Sequence, residues 1–252
     1  MTLNLDKNKK SAGTTLVTFL LDRSGSMENG KGATIDAFNS YISSMQEERS
    51  DGFKCEFTFL TFDDISLDKI HVCEPIRNVN RLNIHTYQPR GGTPLIDSCM
   101  QTILALEDSL RSRDDNPKIV VCFQTDGAEN MSRKYRTDEL KRKIETCQAK
   151  GWQFNFMGAG LDGYSIATQM GIGHANTMSY DRHDYGRTLQ AFAANAVNTR
   201  NYGIGATGST AYMMSQRADA GDAFVPADLK VDVDVKVQAP VAPKDAKLNL
   251  TQ

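Results

Sequence analysis

Asp22, Ser24 and Ser26 alternate along the short stretch Asp22-Arg23-Ser24-Gly25-Ser26, which follows the apolar run 16–21. An acid and two hydroxyls at this spacing put three hard oxygen donors on one turn, and Gly25 lets the backbone bend so that they can converge. A turn of this kind suits a divalent cation such as Mg²⁺. Two further segments carry the same donor chemistry. Gly91-Gly92-Thr93-Pro94 sets a hydroxyl behind paired glycines, and Thr125-Asp126-Gly127 closes the apolar run 119–123.

For these segments to meet, the chain must bring the ends of separate strands to one rim. Apolar runs alternate with helical patterns, which predicts an α/β fold: a doubly wound, Rossmann-like, mostly parallel sheet with helices on both faces. Strands are expected at 14–21, 53–62, 69–74 (at the sheet edge), 118–125, 152–157 and 174–179. The first is apolar on both faces, as a central strand covered on both sides must be. Helices are expected at 34–48, where Ile35, Phe38, Ile42 and Met45 recur at three- and four-residue spacing, and at 94–112, with Leu95, Cys99, Ile103 and Leu106 on one stripe. Further helices are predicted at 137–149, 164–170 and 182–198, the last capped by Ser179-Tyr180-Asp181 or nearby polar groups. In such a sheet ligands gather at the carboxyl ends of the strands, near the reversal of strand order. Asp22 and Asp126 both follow directly on predicted parallel strands.

Taken in order, Asp22-x-Ser24-x-Ser26, Thr93 after paired glycines and Asp126 after a second buried strand resemble the von Willebrand factor A (vWA) domain over residues 14–198. Such domains carry a metal-ion-dependent adhesion site, and all five of its residues are matched. The resemblance implies Mg²⁺ or Mn²⁺ as cofactor, with Ser24 and Ser26 as direct ligands. It implies Thr93 as a ligand, direct or through water, and Asp22 and Asp126 as holders of coordinated waters. Neutral hydroxyls leave such an ion strongly electrophilic. An open position on it then favours a carboxylate, so the expected function is docking of another protein that presents an Asp or Glu. No catalytic residue and no enzyme activity are expected. The loops at 28–31, 86–90 and 129–134 would set partner choice.

The composition of the 252 residues, 40% hydrophobic and 24% charged with a net charge of −2, is that of a soluble globular chain and predicts neither nucleic acid nor an anionic membrane as partner. No apolar run approaches the ~20 residues that span a bilayer, and residues 1–13 show no signal-peptide core. Five cysteines without Cys-x-x-Cys spacing fit a reducing compartment, so the expected location is cytoplasmic. The composition leaves the oligomeric state open.

Other chemistries have partial signals. Residues 158–163, Gly-Ala-Gly-Leu-Asp-Gly, match Gly-x-Gly-x-x-Gly between a strand and a helical segment, the pattern of a dinucleotide-binding turn. That turn belongs to a late strand, whereas such folds usually carry it on the first, and glycines permitting a tight turn explain it equally. An aspartyl phosphotransferase needs a second carboxylate two residues after its nucleophile, where Ser24 stands. His71 and Cys73 lie two apart but lack two further zinc ligands. Lys141-Arg142-Lys143 reads as a solvated helix face, and Asp63 and Asp64 read as solvated turn acids. Asp97 and Glu129 lie near the rim with no spacing that demands a role.

Beyond 198 the composition changes, and residues 199–252 read as a C-terminal extension. Residues 201–209 are glycine-rich and 218–227 are small and polar. Leu229, Val231, Val233, Val235 and Val237 then alternate with charged residues, as in a half-buried strand at 229–237 that packs on its own domain or adds to a partner's sheet edge. A loose tail follows.

Overall fold

The computed structural model describes residues 13–159 and 162–222. Six strands form one sheet in the order β3-β2-β1-β4-β5-β6. They are β1 (Thr15–Asp22), β2 (Cys55–Phe62), β3 (Leu67–Pro75), β4 (Lys118–Thr125), β5 (Gln153–Ala159) and β6 (Thr177–Tyr180). β3 runs antiparallel to β2, and every other neighbouring pair is parallel. All eight residues of β1 are buried, because helices cover both of its faces. α1 (Lys31–Gln46) and α5 (Tyr185–Gly203) lie on one face; α2 (Leu95–Leu110) and α3 (Thr137–Ala149) lie on the other. α4 (Asp162–Gln169) follows β5, and α6 (Met214–Asp219) follows α5.

Period-two alternation along β1 splits the core. Val17, Phe19 and Leu21 face α1 and α5, where Phe19 meets Phe38 edge-on at 5.5 Å and Phe192 stacked at 5.8 Å. Leu16 and Leu20 face the opposite side with Cys99, Ile103 and Ile144. Burying a side chain of this size contributes about 1.5–3 kcal/mol, so each layer holds β1 from its own side. The expected stripes on α1 and α2 are all buried. Strand order reverses around β1, and β4 pairs beside it from Thr15↔Lys118 to Leu21↔Gln124. The carboxyl ends of β1 and β4 are therefore neighbours at the switch point.

Three expectations need correction. The segment 174–179 is not a strand throughout: His174–Asn176 is a 3-10 turn, and only Thr177–Tyr180 pairs with β5. α5 starts three residues later than expected, at Tyr185, because Asp184 is its cap and accepts a hydrogen bond from Arg187 N at 3.0 Å. The boundary at 198 falls inside α5, and packed structure continues to Asp222. Small and polar residues there conceal a buried clamp. Arg217 is 0% exposed; its Nη1 donates to the Thr177 carbonyl at 2.5 Å and pairs with Asp222 Oδ2 at 3.2 Å, and its Nη2 donates to the His174 carbonyl at 2.8 Å. The expected strand at 229–237 lies outside the described residues.

A buried pair of this kind is costly to halve. Arg217→Ala leaves Asp222 buried without its counter-charge and is expected to lose about 3–5 kcal/mol of folding stability in urea unfolding. A loss within ~0.5 kcal/mol would mean that residues 204–222 are not integral to the domain.

Candidate metal centre

β1 ends on Asp22, whose side chain is held at both oxygens. Oδ1 accepts from Ser24 N at 2.6 Å, Oδ2 accepts from Thr125 Oγ1 at 2.5 Å, and the Asp22 carbonyl accepts from Tyr87 OH at 2.5 Å. The first bond bends the chain immediately after the strand. It brings Ser24 Oγ to 3.1 Å from Ser26 Oγ, and Ser26 Oγ donates to Asp126 Oδ1 at 2.6 Å. The turn after β1 thus reaches the turn after β4 through one hydroxyl.

Thr93 arrives from the third segment. Gly25 N donates to the Gly91 carbonyl at 3.0 Å and Arg90 N to the Arg23 carbonyl at 2.9 Å, which ties the two loops backbone to backbone. Gly91 adopts φ +65°, and a Cβ there would lie 1.7 Å from Asp64 Oδ1, so only glycine fits. Gly127 holds the cup open. A Cβ on it would sit 3.2 Å from Thr93 Oγ1 and 3.4 Å from Ser26 Oγ, so both hydroxyls stand over one point on the turn after β4. Asp22, Ser24, Ser26, Thr93 and Asp126 are brought together.

The donor set fits a hard divalent cation: three hydroxyls and two carboxylates, all oxygen. Among the described residues no cluster of three or more His, Cys, Asp or Glu side chains offers an alternative centre. His71 and Cys73 do not share a site. His71 Nε2 accepts from Asn80 N at 3.3 Å, whereas Cys73, at φ +49°, hydrogen-bonds Thr58 through its backbone N and lines a groove beside α2.

Several residues that shape the cup were not evident as such in the sequence. Asp63 is 2% exposed, not a solvated turn acid. Its Oδ2 accepts from Arg23 Nε at 2.9 Å and Arg90 Nε at 2.8 Å, and its Oδ1 accepts from the N–H groups of Ile65 and Ser66. One carboxylate therefore anchors an arginine from each of the first two loops, and those hydrogen bonds hold its pKa below the usual carboxylate value despite burial. Glu129 accepts from the backbone N–H groups of Ile96, Met131 and Ser132, and Asp97 from those of Arg133, Lys134 and Tyr135. Asn130 Oδ1 accepts from Thr93 N at 2.8 Å. These acids order the loop after Asp126 around the start of α2. Arg182, from the loop after β6, places Nη1 on Asp126 Oδ2.

The glycine turn after β5 has the other purpose. A Cβ on Gly158 would lie 2.8 Å from the Gly163 Cα, so these glycines let strand and helix touch; Gly160 and Leu161 lie outside the described residues. The cavity there measures about 60 Å³, far below the ~300 Å³ at the low end of ligand pockets. This geometry does not favour a dinucleotide.

No protein-family model and no curated protein matches the sequence. Several solved structures are similar in fold. Proximal thread matrix protein 1 from the mussel byssus matches at 15% identity over 74% of this chain and 46% of its own, with a TM-score of 0.50. A von Willebrand factor type A protein from Catenulispora acidiphila matches at 13% over 75% and 43%, TM-score 0.51. The vWF domain of the type V pili tip protein Mfa5 from Porphyromonas gingivalis matches at 9% over 77% and 97%, TM-score 0.55. This chain spans less than half the length of the first two. The chain has the vWA fold, a six-stranded, mostly parallel sheet between helices.

Burial pushes the Asp22 carboxyl up to about 6 from an ordinary value of 3.8, against the opposing pull of its bonds from Thr125 and Ser24. At ~1.4 kcal/mol per pK unit, the charged form costs the fold on the order of 2–3 kcal/mol. Because the folded value is raised, the favourable contribution is complete below 3.8 and is lost as pH rises through about 6. In chelator, Asp22→Asn is expected to be more stable than the parent, by a margin that grows between pH 4 and pH 7 to about 2 kcal/mol. With Mg²⁺ in excess the order reverses. Urea unfolding at several pH values checks both signs, and equal stabilities at pH 8 in chelator would contradict the account.

Proposed function

We propose that this chain binds one divalent cation, Mg²⁺ or Mn²⁺, in the cup at the carboxyl ends of β1 and β4 and uses it to dock a partner protein through an Asp or Glu side chain. The observation that carries this reading is the convergence of Ser24, Ser26 and Thr93 hydroxyls with two carboxylates over Gly127. Ser24 and Ser26 would hold the ion directly, Thr93 directly or through water, and Asp22 and Asp126 through coordinated waters. A divalent cation bound there supplies an electrophilic position that a carboxylate can fill.

The chain's own residues set the terms of docking. Asp63 fixes Arg23 and Arg90 so that the serine turn and the Thr93 loop keep their spacing. Arg182 neutralises one oxygen of Asp126, lowering the negative charge that faces an incoming acid. In this reading the cup binds and no bond is made or broken there. Dispersed free thiols, four of the five buried, support a reducing, cytoplasmic setting. Among the described residues no helix is long and apolar enough to cross a membrane.

Isothermal titration of the full chain with MgCl₂ and MnCl₂ tests the site. One binding event is expected, weakened at least tenfold in Ser26→Ala and in Asp126→Ala. Unchanged affinity in both variants would overturn the assignment. Capture of a partner from the native host should fail in chelator and with Thr93→Ala; equal recovery in all conditions would separate docking from the metal.

A further inference from the structure

β3 is the outer strand on its side of the sheet, and among the described residues no further strand pairs with it beyond β2. Ile70 and Val72 on it are 43% and 53% exposed. Beside the strand, on the face covered by α2, a groove of about 510 Å³ opens between helix and sheet. Leu60, Leu67 and Val72 line it from the strands, and Leu104 and Ala105 line it from α2. An unpaired strand edge next to an apolar groove is completed by an extended segment with alternating side chains: its backbone pairs with the edge and its apolar face fills the groove.

The opposite edge of the sheet is closed. On β6 the Thr177 carbonyl accepts from Arg217 at 2.5 Å, and Ser179 N donates to Asp222 Oδ2 at 3.2 Å. The clamp thus occupies the groups that a strand would use, which leaves β3 as the available edge.

The sequence carries a segment of the required pattern. Leu229, Val231, Val233, Val235 and Val237 alternate in sequence with Lys230, Asp232, Asp234 and Lys236. The described chain leaves at Asp222, beside β6 and at the far side of the sheet from β3. A strand added to β3 lies six strand spacings from β6, roughly 29 Å at ~4.8 Å each. The seven peptide steps from Asp222 to Leu229 span at most ~25 Å in a straight line, and helices on both faces force a longer route. A single molecule cannot seat the whole segment in its own groove.

We infer that residues 229–237 of one copy add as a strand to β3 of a second copy, with the Leu229–Val231–Val233 face in the groove beside α2. Asp222, the last described residue before the donor segment, and the acceptor edge lie on opposite sides of the sheet, so the contact is heterologous and propagates head to tail unless a ring closes. This surface is separate from the metal cup and stands independently of it.

Sedimentation of the full chain over a wide concentration range tests the inference. Mass is expected to rise with concentration. Val72→Lys, which spoils the acceptor, and Val233→Lys, which spoils the donor, should each remain monomeric. An equimolar mixture of the two variants should form a heterodimer that grows no further, since each retains the half that the other lacks. Leu104→Glu repeats the acceptor defect from the helix side without altering β3. A monomeric parent at every concentration, association that survives these substitutions, or a mixture that stays monomeric would each overturn the proposal.

Discussion

Asp22 is a carboxylate with no exposed surface at the end of the central strand, and the architecture of the rim depends on satisfying it. One oxygen takes a backbone N–H from its own turn and the other takes a hydroxyl from the end of the neighbouring strand. Its carbonyl takes a third bond, from Tyr87 of the loop leading to Thr93. Each bond reaches a different segment of the chain, so holding the one group registers three loops against each other. A buried acid raised to about 6 is a cost to the fold. A divalent cation is the counter-charge that would offset it.

Around that carboxylate the loops are held by further acids besides the five residues of the cup. Asp63 grips Arg23 and Arg90, Asp97 and Glu129 each bind three backbone N–H groups, and the hydroxyls of Ser26 and Thr93 both lie close to Gly127. Rigid supports are what a site needs if its ligands are to meet an ion without rearranging the loops that carry them. Arg182 is the exception, a positive charge lodged on one of the outer carboxylates.

The fold, and the meeting of three turns at one rim of the sheet, were legible in the sequence because their signals are local. An all-apolar run identifies a central strand, and Asp-x-Ser-x-Ser announces a turn with converging oxygens. The supports were not legible. Asp63 looks like any acid after a strand until Arg23, forty residues earlier, and Arg90 are seen to close on it. The clamp on β6 was hidden for the opposite reason: glycine, serine and alanine around Arg217 read as a linker, and only the carbonyls of His174 and Thr177 reveal what the guanidinium is for. The start of β6 was misplaced because Ala175 and Asn176 carry no strong preference, and a 3-10 turn there is set by tertiary contacts such as the Asn176 bonds to Asn155 and Thr210.

The most direct measurement of the central claim is anomalous diffraction from crystals of the full chain grown with Mn²⁺. The account predicts one anomalous peak in the cup, about 2.1 Å from Ser24 Oγ and Ser26 Oγ, with Asp22 outside direct-ligand distance. Crystals that diffract well and show no peak there, or whose bound Mn²⁺ sits elsewhere while Arg182 still covers Asp126, would contradict it.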